Sequence, residues 1–177
     1  MEGVKLITPF YMEDERGYFM KKYEKDIYQS WGLEGEMNEQ FETYSKKNVI
    51  RGMHFQIHKP QIKIISATRG VVNDVIVDLR KNSKTFGRYL EIELTEENKS
   101  ILWIPAGFAH GFEVLSEEAV IQYQCIGKYD KESDTGIRWD DEELGISWKT
   151  ISPIVSQKDR NLMNFKEFVK KYQWLEV

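Results

Sequence analysis

The sequence predicts an all-β domain, a sandwich, jelly roll or barrel with a few helices outside it, and three observations carry that expectation. Apolar and polar residues alternate through most of the middle of the chain, the period of a strand with two unlike faces. Turn signals recur between these runs, at Arg69-Gly70, Asn82-Ser83, Thr85-Phe86-Gly87 and Ala106-Gly107. A helical period appears in only two places. Many short strands at regular spacing are the mark of sandwiches, jelly rolls and barrels.

In chain order, strands are expected at 4–7, 18–22, 49–56 and 62–69, then at 71–79, 89–94, 101–104, 112–115 and 120–126. The run 71–79 shows the pattern most plainly. Val71, Val75, Val77 and Leu79 form one apolar face, and Asp74 and Asp78 fall on the other. A helix is expected at 24–31, where Ile27, Tyr28 and Trp31 share a side, and a closing helix over about 160–175, where Leu162, Phe165, Val169 and Tyr172 lie three or four apart. No internal repeat and no linker rich in Pro, Gly or Ser divides the chain, so residues 1–177 are read as a single domain around one core.

Lys plus Arg number 25 against 29 Asp plus Glu, a net charge of −4 with no block of five like charges. Binding a nucleic acid requires clustered cations to neutralise phosphates, so that class of partner is excluded. The hydrophobic fraction of 41% is too high for a disordered chain. The longest uncharged stretch, 100–112, is too short to span a bilayer, so no membrane partner is expected. Met1-Glu2-Gly3-Val4-Lys5 lacks the basic and apolar regions of a signal peptide, which makes a cytoplasmic protein the expectation. Cys125 is the single cysteine and lies in an apolar run, where it reads as a small core residue.

The chemistry-bearing residues are few. His54 sits in a strand-like run beside Arg51 and Gly52, as either a satisfied strand histidine or a general base. Arg51 offers a planar fork suited to a diphosphate or to a surface salt bridge. Their odd separation lets both face one pocket only if the strand bulges, and Gly52 is where a bulge is expected. Lys63 shares a face with Ile65 and Ala67, and Asp74 with Val72 and Ile76. Charges on aliphatic faces are costly unless they pair with each other or line a solvated cavity. His110 is expected in a glycine-flanked turn at a strand start. Metal-binding jelly rolls offer two histidines one residue apart followed by a glutamate; here the second place is Gln56, and no metal is expected. Tyr123 alternates with Ile121 and Cys125, as a core tyrosine or a proton donor, and Tyr129 is equally open. Asp159, just before the last helix, reads locally as a cap. No GxGxxG, Walker, GxSxG or HExxH pattern occurs. An imidazole, a lysine, a tyrosine and an arginine remain, a set suited to proton transfer next to a carbonyl with a cation on the enolate.

The motifs DERGYF at 14–19, NVIRGMHFQ at 48–56, QIK at 61–63, VIVDLR at 75–80 with TFG at 85–87, WIPAGFAHGF at 103–112, GIRWDD at 136–141 with LGI at 144–146, and SQKD at 156–159 follow in order. In that order and spacing they closely resemble the dTDP-4-dehydrorhamnose 3,5-epimerase family, from about residue 7 to residue 159. The resemblance implies a cupin-type jelly-roll barrel, a homodimer with strands exchanged, no cofactor, and a nucleoside-diphosphate 4-keto sugar, a 6-deoxyhexose for surface polysaccharide, as substrate. By motif position, His54 resembles the general base, Asp159 the carboxylate that orients it, and Tyr123 the acid on the opposite face. Lys63 matches the lysine near the enolate and Asp74 its charged neighbour. Arg51 resembles the arginine on the diphosphate, Arg16 a second nucleotide contact, and His110 and Trp139 pocket residues; Gln56 and Tyr129 are counted with them on the substrate side. Met12 and Lys21 depart from an aromatic and an acidic residue that frame thymine, which admits cytosine or guanine instead. Glu39-Gln40-Phe41 stands where the family often has Gln-x-Asn, which bears on the sugar and on how many centres invert. Inversion at C3 or C5 only, 3,4-ketoisomerisation, and a non-catalytic sugar-binding jelly roll are the alternatives.

Overall fold

Antiparallel pairing joins the strands of every sheet, and a computed structural model describes residues 1–177. The elements are β1 (Lys5–Ile7), β2 (Phe10–Asp14), β3 (Gly17–Lys21), α1 (Lys25–Ser30), β4 (Met37–Lys46), β5 (Ile50–Gln56), β6 (Ile62–Arg69) and β7 (Val71–Asp78). There follow β8 (Tyr89–Thr95), β9 (Ile101–Ile104), β10 (Phe108–Val114), β11 (Glu118–Ile126), β12 (Asp134–Gly136), α2 (Gln157–Arg160) and α3 (Phe165–Tyr172). One sheet runs β1-β9-β6-β11-β4 and the other β12-β5-β10-β7-β8, while β2 and β3 form a separate hairpin. From β4 to β7 successive strands alternate between the sheets, so the two faces close on each other as a jelly roll.

Apolar side chains of both inner faces fill the space between the sheets, including Ile65, Leu102 and Ile121 from one and Val72, Ile76 and Phe112 from the other. The odd-numbered face of β7, the apolar one in the sequence, points the other way. Val75, Val77 and Leu79 pack under Phe165 and Phe168 of α3, and the face bearing Asp74 is the interior. A central strand covered on both sides carries apolar residues on both, so alternation alone does not tell inside from outside. On the far face of the first sheet, Tyr28 of α1 covers Ile64, Ile101 and Trp103. No helix is long and apolar enough to cross a membrane.

Three strands, β2, β4 and β12, lie outside the expected runs. On β4 the inward positions include Glu39, Thr43 and Ser45, so both faces are polar and the alternation vanishes. His110 lies within β10 rather than in a turn, because the strand begins at Phe108. The expected closing helix is two helices. Ser156 caps α2 by accepting from the Asp159 N–H, and Asn164 opens α3 with a capping box to Glu167. Ser156, not Asp159, is therefore the cap.

The bulge expected at Gly52 is present. Opposite β5, β10 aligns His110 with His54 and Phe112 with Arg51, two steps on one strand against three on the other. Gly52 has φ +118°, and a Cβ there would lie 2.5 Å from Gly111 Cα. The bulge turns Arg51 and His54 toward the same space.

Candidate active site

Arg51, His54 and His110 from one sheet face Phe41, Lys63 and Tyr123 from the other across a cavity of about 360 Å³. His54 Nε2 lies 2.8 Å from Asp159 Oδ1, and Asp159 Oδ2 accepts the Gly52 N–H at 3.2 Å. Burial pushes the Asp159 carboxyl up, but the hydrogen bond and charge of His54, with the Gly52 N–H and Ser156, outweigh it and hold the group below the usual carboxylate range. An ionised carboxylate only accepts, so Nε2 carries a proton and Nδ1 of the neutral ring keeps its lone pair. The same carboxylate thus fixes both the ring and the backbone of the bulge.

Lys63 Nζ donates to the His54 carbonyl at 3.2 Å. Burial lowers its pKa, against the opposing pull of Cys125, Asp134 and Asp74. It has no ion pair with Asp74, so of the two explanations for charge on an aliphatic face, the cavity holds for Lys63. Asp74 sits behind the cavity wall, fully buried, with Oδ2 2.8 Å from His110 Nε2 and Oδ1 unbonded. Burial pushes Asp74 up and His110 down, so this pair favours one shared proton over two full charges.

Tyr123 stacks on Phe41 at 4.7 Å and meets His110 edge-on at 5.8 Å. Burial and the nearby Asp74 raise its phenol pKa, so the ring keeps its proton. Arg51 makes no salt bridge; its Nε donates to Ser45 Oγ at 2.9 Å and Nη2 to the Tyr44 carbonyl at 3.1 Å, an edge-strand mount that leaves cationic N–H groups at the cavity rim. Tyr129 borders the cavity, half exposed, its hydroxyl 3.4 Å from Asp134 Oδ2, which also takes Lys158 Nζ at 2.7 Å.

Several candidates are not brought to this cavity within one chain. Gln56 is a correction: its amide donates to the Lys59 and Lys128 carbonyls and accepts from the Asp130 N–H, a buried tie between loops. Trp139 is half-buried away from the cavity, its carbonyl accepting from Trp148. Arg16 pairs with Asp14, Lys21 with Glu24, and Met12 is exposed on the hairpin. Glu39 and Phe41, at the place of the family's Gln-x-Asn, line the cavity, and so do Thr43 and Asp134, which no motif marks as site residues. The i, i+2 series 39, 41, 43 just before the NVIRGMHFQ motif is the signal that could have found Thr43.

The family model described as dTDP-4-dehydrorhamnose 3,5-epimerase matches residues 1–167. A protein of that description from Methanothermobacter thermautotrophicus is 44% identical over 170 residues, covering 94% of this chain and 92% of that one. One from Escherichia coli K12 is 39% identical, covering 96% and 94%. A crystal structure of a Legionella pneumophila dTDP-6-deoxy-D-glucose-3,5-epimerase with dTDP-4-keto-L-rhamnose superimposes with a TM-score of 0.94 at 34% identity, covering 100% of this chain and 95% of that one.

Proposed function

The chain belongs to the dTDP-4-dehydrorhamnose 3,5-epimerase family, and from that premise we propose how its cavity inverts C3 and C5 of a dTDP-linked 4-keto-6-deoxyhexose. The observation that carries the mechanism is the placement of His54 and Tyr123 on facing sheets of one cavity. The C4 ketone acidifies the hydrogens at C3 and C5. His54 Nδ1 removes one of them, and Asp159 stabilises the imidazolium through Nε2. The electron pair moves onto the ketone oxygen, where the desolvated Lys63 ammonium favours the enolate over the ketone. Tyr123 returns a proton to the carbon from the other face, which inverts the centre. Arg51 holds the diphosphate at the rim. A nucleotide-sugar substrate, assembled where nucleoside triphosphates are made, supports a cytoplasmic reaction.

Incubation in D₂O with dTDP-, CDP- and GDP-linked 4-keto-6-deoxyhexoses, locating deuterium by NMR, tests the reading. Incorporation at both C3 and C5 of the dTDP sugar is expected, and no exchange with any of them would favour a sugar-binding module. In Tyr123→Phe, inversion should fall by about 10²-fold while deuterium wash-in persists. Equal retention of both rates would remove Tyr123 from the acid role.

The nucleotide end of the site belongs to a homodimer in this reading. Phe10, Met12, Tyr18 and Phe19 are each more than half exposed on a hairpin that joins neither sheet, and β4 is an unpaired edge. Exchange of the hairpin onto a second copy would cover both and carry Arg16, Met12 and Lys21 toward that copy's cavity. Sedimentation should give a dimer that Phe19→Asp dissociates with loss of activity; an active monomer would end the proposal.

A further inference from the structure

Strand β4 faces the cavity with Phe41 and Thr43, two residues apart on one side. In the β4/β11 register Phe41 lies opposite Tyr123 and Thr43 opposite Ile121, which makes Thr43 the diagonal neighbour of Tyr123 on the same face. Phe41 fixes the plane of the phenol by stacking within 10° of parallel. Thr43 Oγ1 is shut off from solvent and makes no hydrogen bond of full geometry, and the polar group it acts on is the Tyr123 phenol. A buried hydroxyl without a partner destabilises a fold, so one beside a reacting group calls for a partner that forms during the reaction.

We propose that Thr43 is a positioning residue for Tyr123, its hydroxyl donating a hydrogen bond to the phenol oxygen as that oxygen gives up its proton. In the step itself the Tyr123 O–H bond breaks and a C–H bond forms at the sugar, leaving a phenolate. Thr43 keeps its own proton throughout, and water returns one to Tyr123 after product leaves. The phenolate needs such a donor because its surroundings oppose it. Burial disfavours it first, Asp74 from β7 and Cys125 from its own strand add to that, and Arg51 from β5 and Thr43 from β4 act the other way. His110 from β10 presents its ring edge and is already bonded to Asp74. Thr43 is thus an uncharged donor close to the developing negative charge, where one hydrogen bond has its greatest differential effect.

The inference rests on the acid role assigned to Tyr123. It is tested on the full chain with Thr43→Val, which keeps the shape, and Thr43→Ser, which restores the hydroxyl, using dTDP-4-keto-6-deoxyglucose as substrate. The valine variant should lose about tenfold or more in kcat for inversion with KM unchanged. Its phenol would give up a proton less readily, so inversion should fall more than deuterium wash-in, while the thermal midpoint holds or rises. Serine should bring back both the rate and the ratio of inversion to wash-in. Turnover of the valine variant within about twofold of wild type, an unchanged ratio, or no recovery with serine would each overturn the proposal. If valine prevents folding, Thr43→Ala takes its place in the same comparison. Failure of the epimerase reading is distinguishable, since wild type would then exchange no deuterium at all.

Discussion

Replacing His54 by asparagine should abolish nearly all turnover, by about 10³-fold or more, in a protein that folds as wild type does. The imidazole faces the cavity with a lone pair and is backed by a buried carboxylate, Asp159 at 2.8 Å, which is held below the usual carboxylate range, whereas burial pushes up the Asp74 carboxyl behind His110. Asparagine ends at the δ position, short of the Nε2 site, so like His54→Ala it leaves Asp159 Oδ1 without its partner at a cost of about 1–3 kcal/mol. Deuterium wash-in and inversion should vanish together in both variants, because no enolate forms. Urea unfolding measures that cost. Retained exchange in His54→Asn would place the base elsewhere. Acid should act on the same pair with a definite sign. The Asp159 carboxyl is depressed in the folded protein, so its contribution is fully present above the unfolded value of about 4 and is lost as pH falls through the lower folded value. Stability measured from pH 7 to pH 3 should therefore fall more in wild type than in Asp159→Asn.

Gly52→Ala should damage fold and site at once. Its φ of +118° is strained for any side chain, and the new Cβ would press on Gly111 Cα and on the His110 carbonyl at 2.7 Å. Both neighbours are backbone and have no rotamer with which to yield. A loss of about 2–5 kcal/mol is expected in denaturant unfolding. The folded fraction should also be slow, because relief of the clash must move the bulge that aims Arg51 and His54. Wild-type stability and rate in this variant would mean that the bulge is not what aims them.

Strands with one apolar and one polar face were legible in the sequence, and β6 and β9 lie within the expected bounds. Strand β4 was not, because a wall that meets a sugar is polar on both sides. The hairpin strand β2 was hidden for the opposite reason, since its apolar residues are exposed in a single chain. In the site, the odd spacing of Arg51 and His54 alone requires a bulge if both are to face one pocket, and β5 has it. The link from His54 to Asp159 spans 105 positions, and no local pattern predicts a contact at that range; only the family resemblance joined the two. Gln56 shows the converse. A polar residue two positions after a cavity-facing one in a strand points to the same face by rule, yet its amide is taken up by the loops that flank it.

That 105-residue span also orders events during synthesis. Every strand that walls the cavity has emerged by residue 136, while the carboxylate that readies His54 arrives on α2. A nascent chain stopped between the two has no carboxylate behind its imidazole and no α3 over the apolar face of β7. In the proposed mechanism, catalytic competence is thereby deferred until the segment after the barrel has docked.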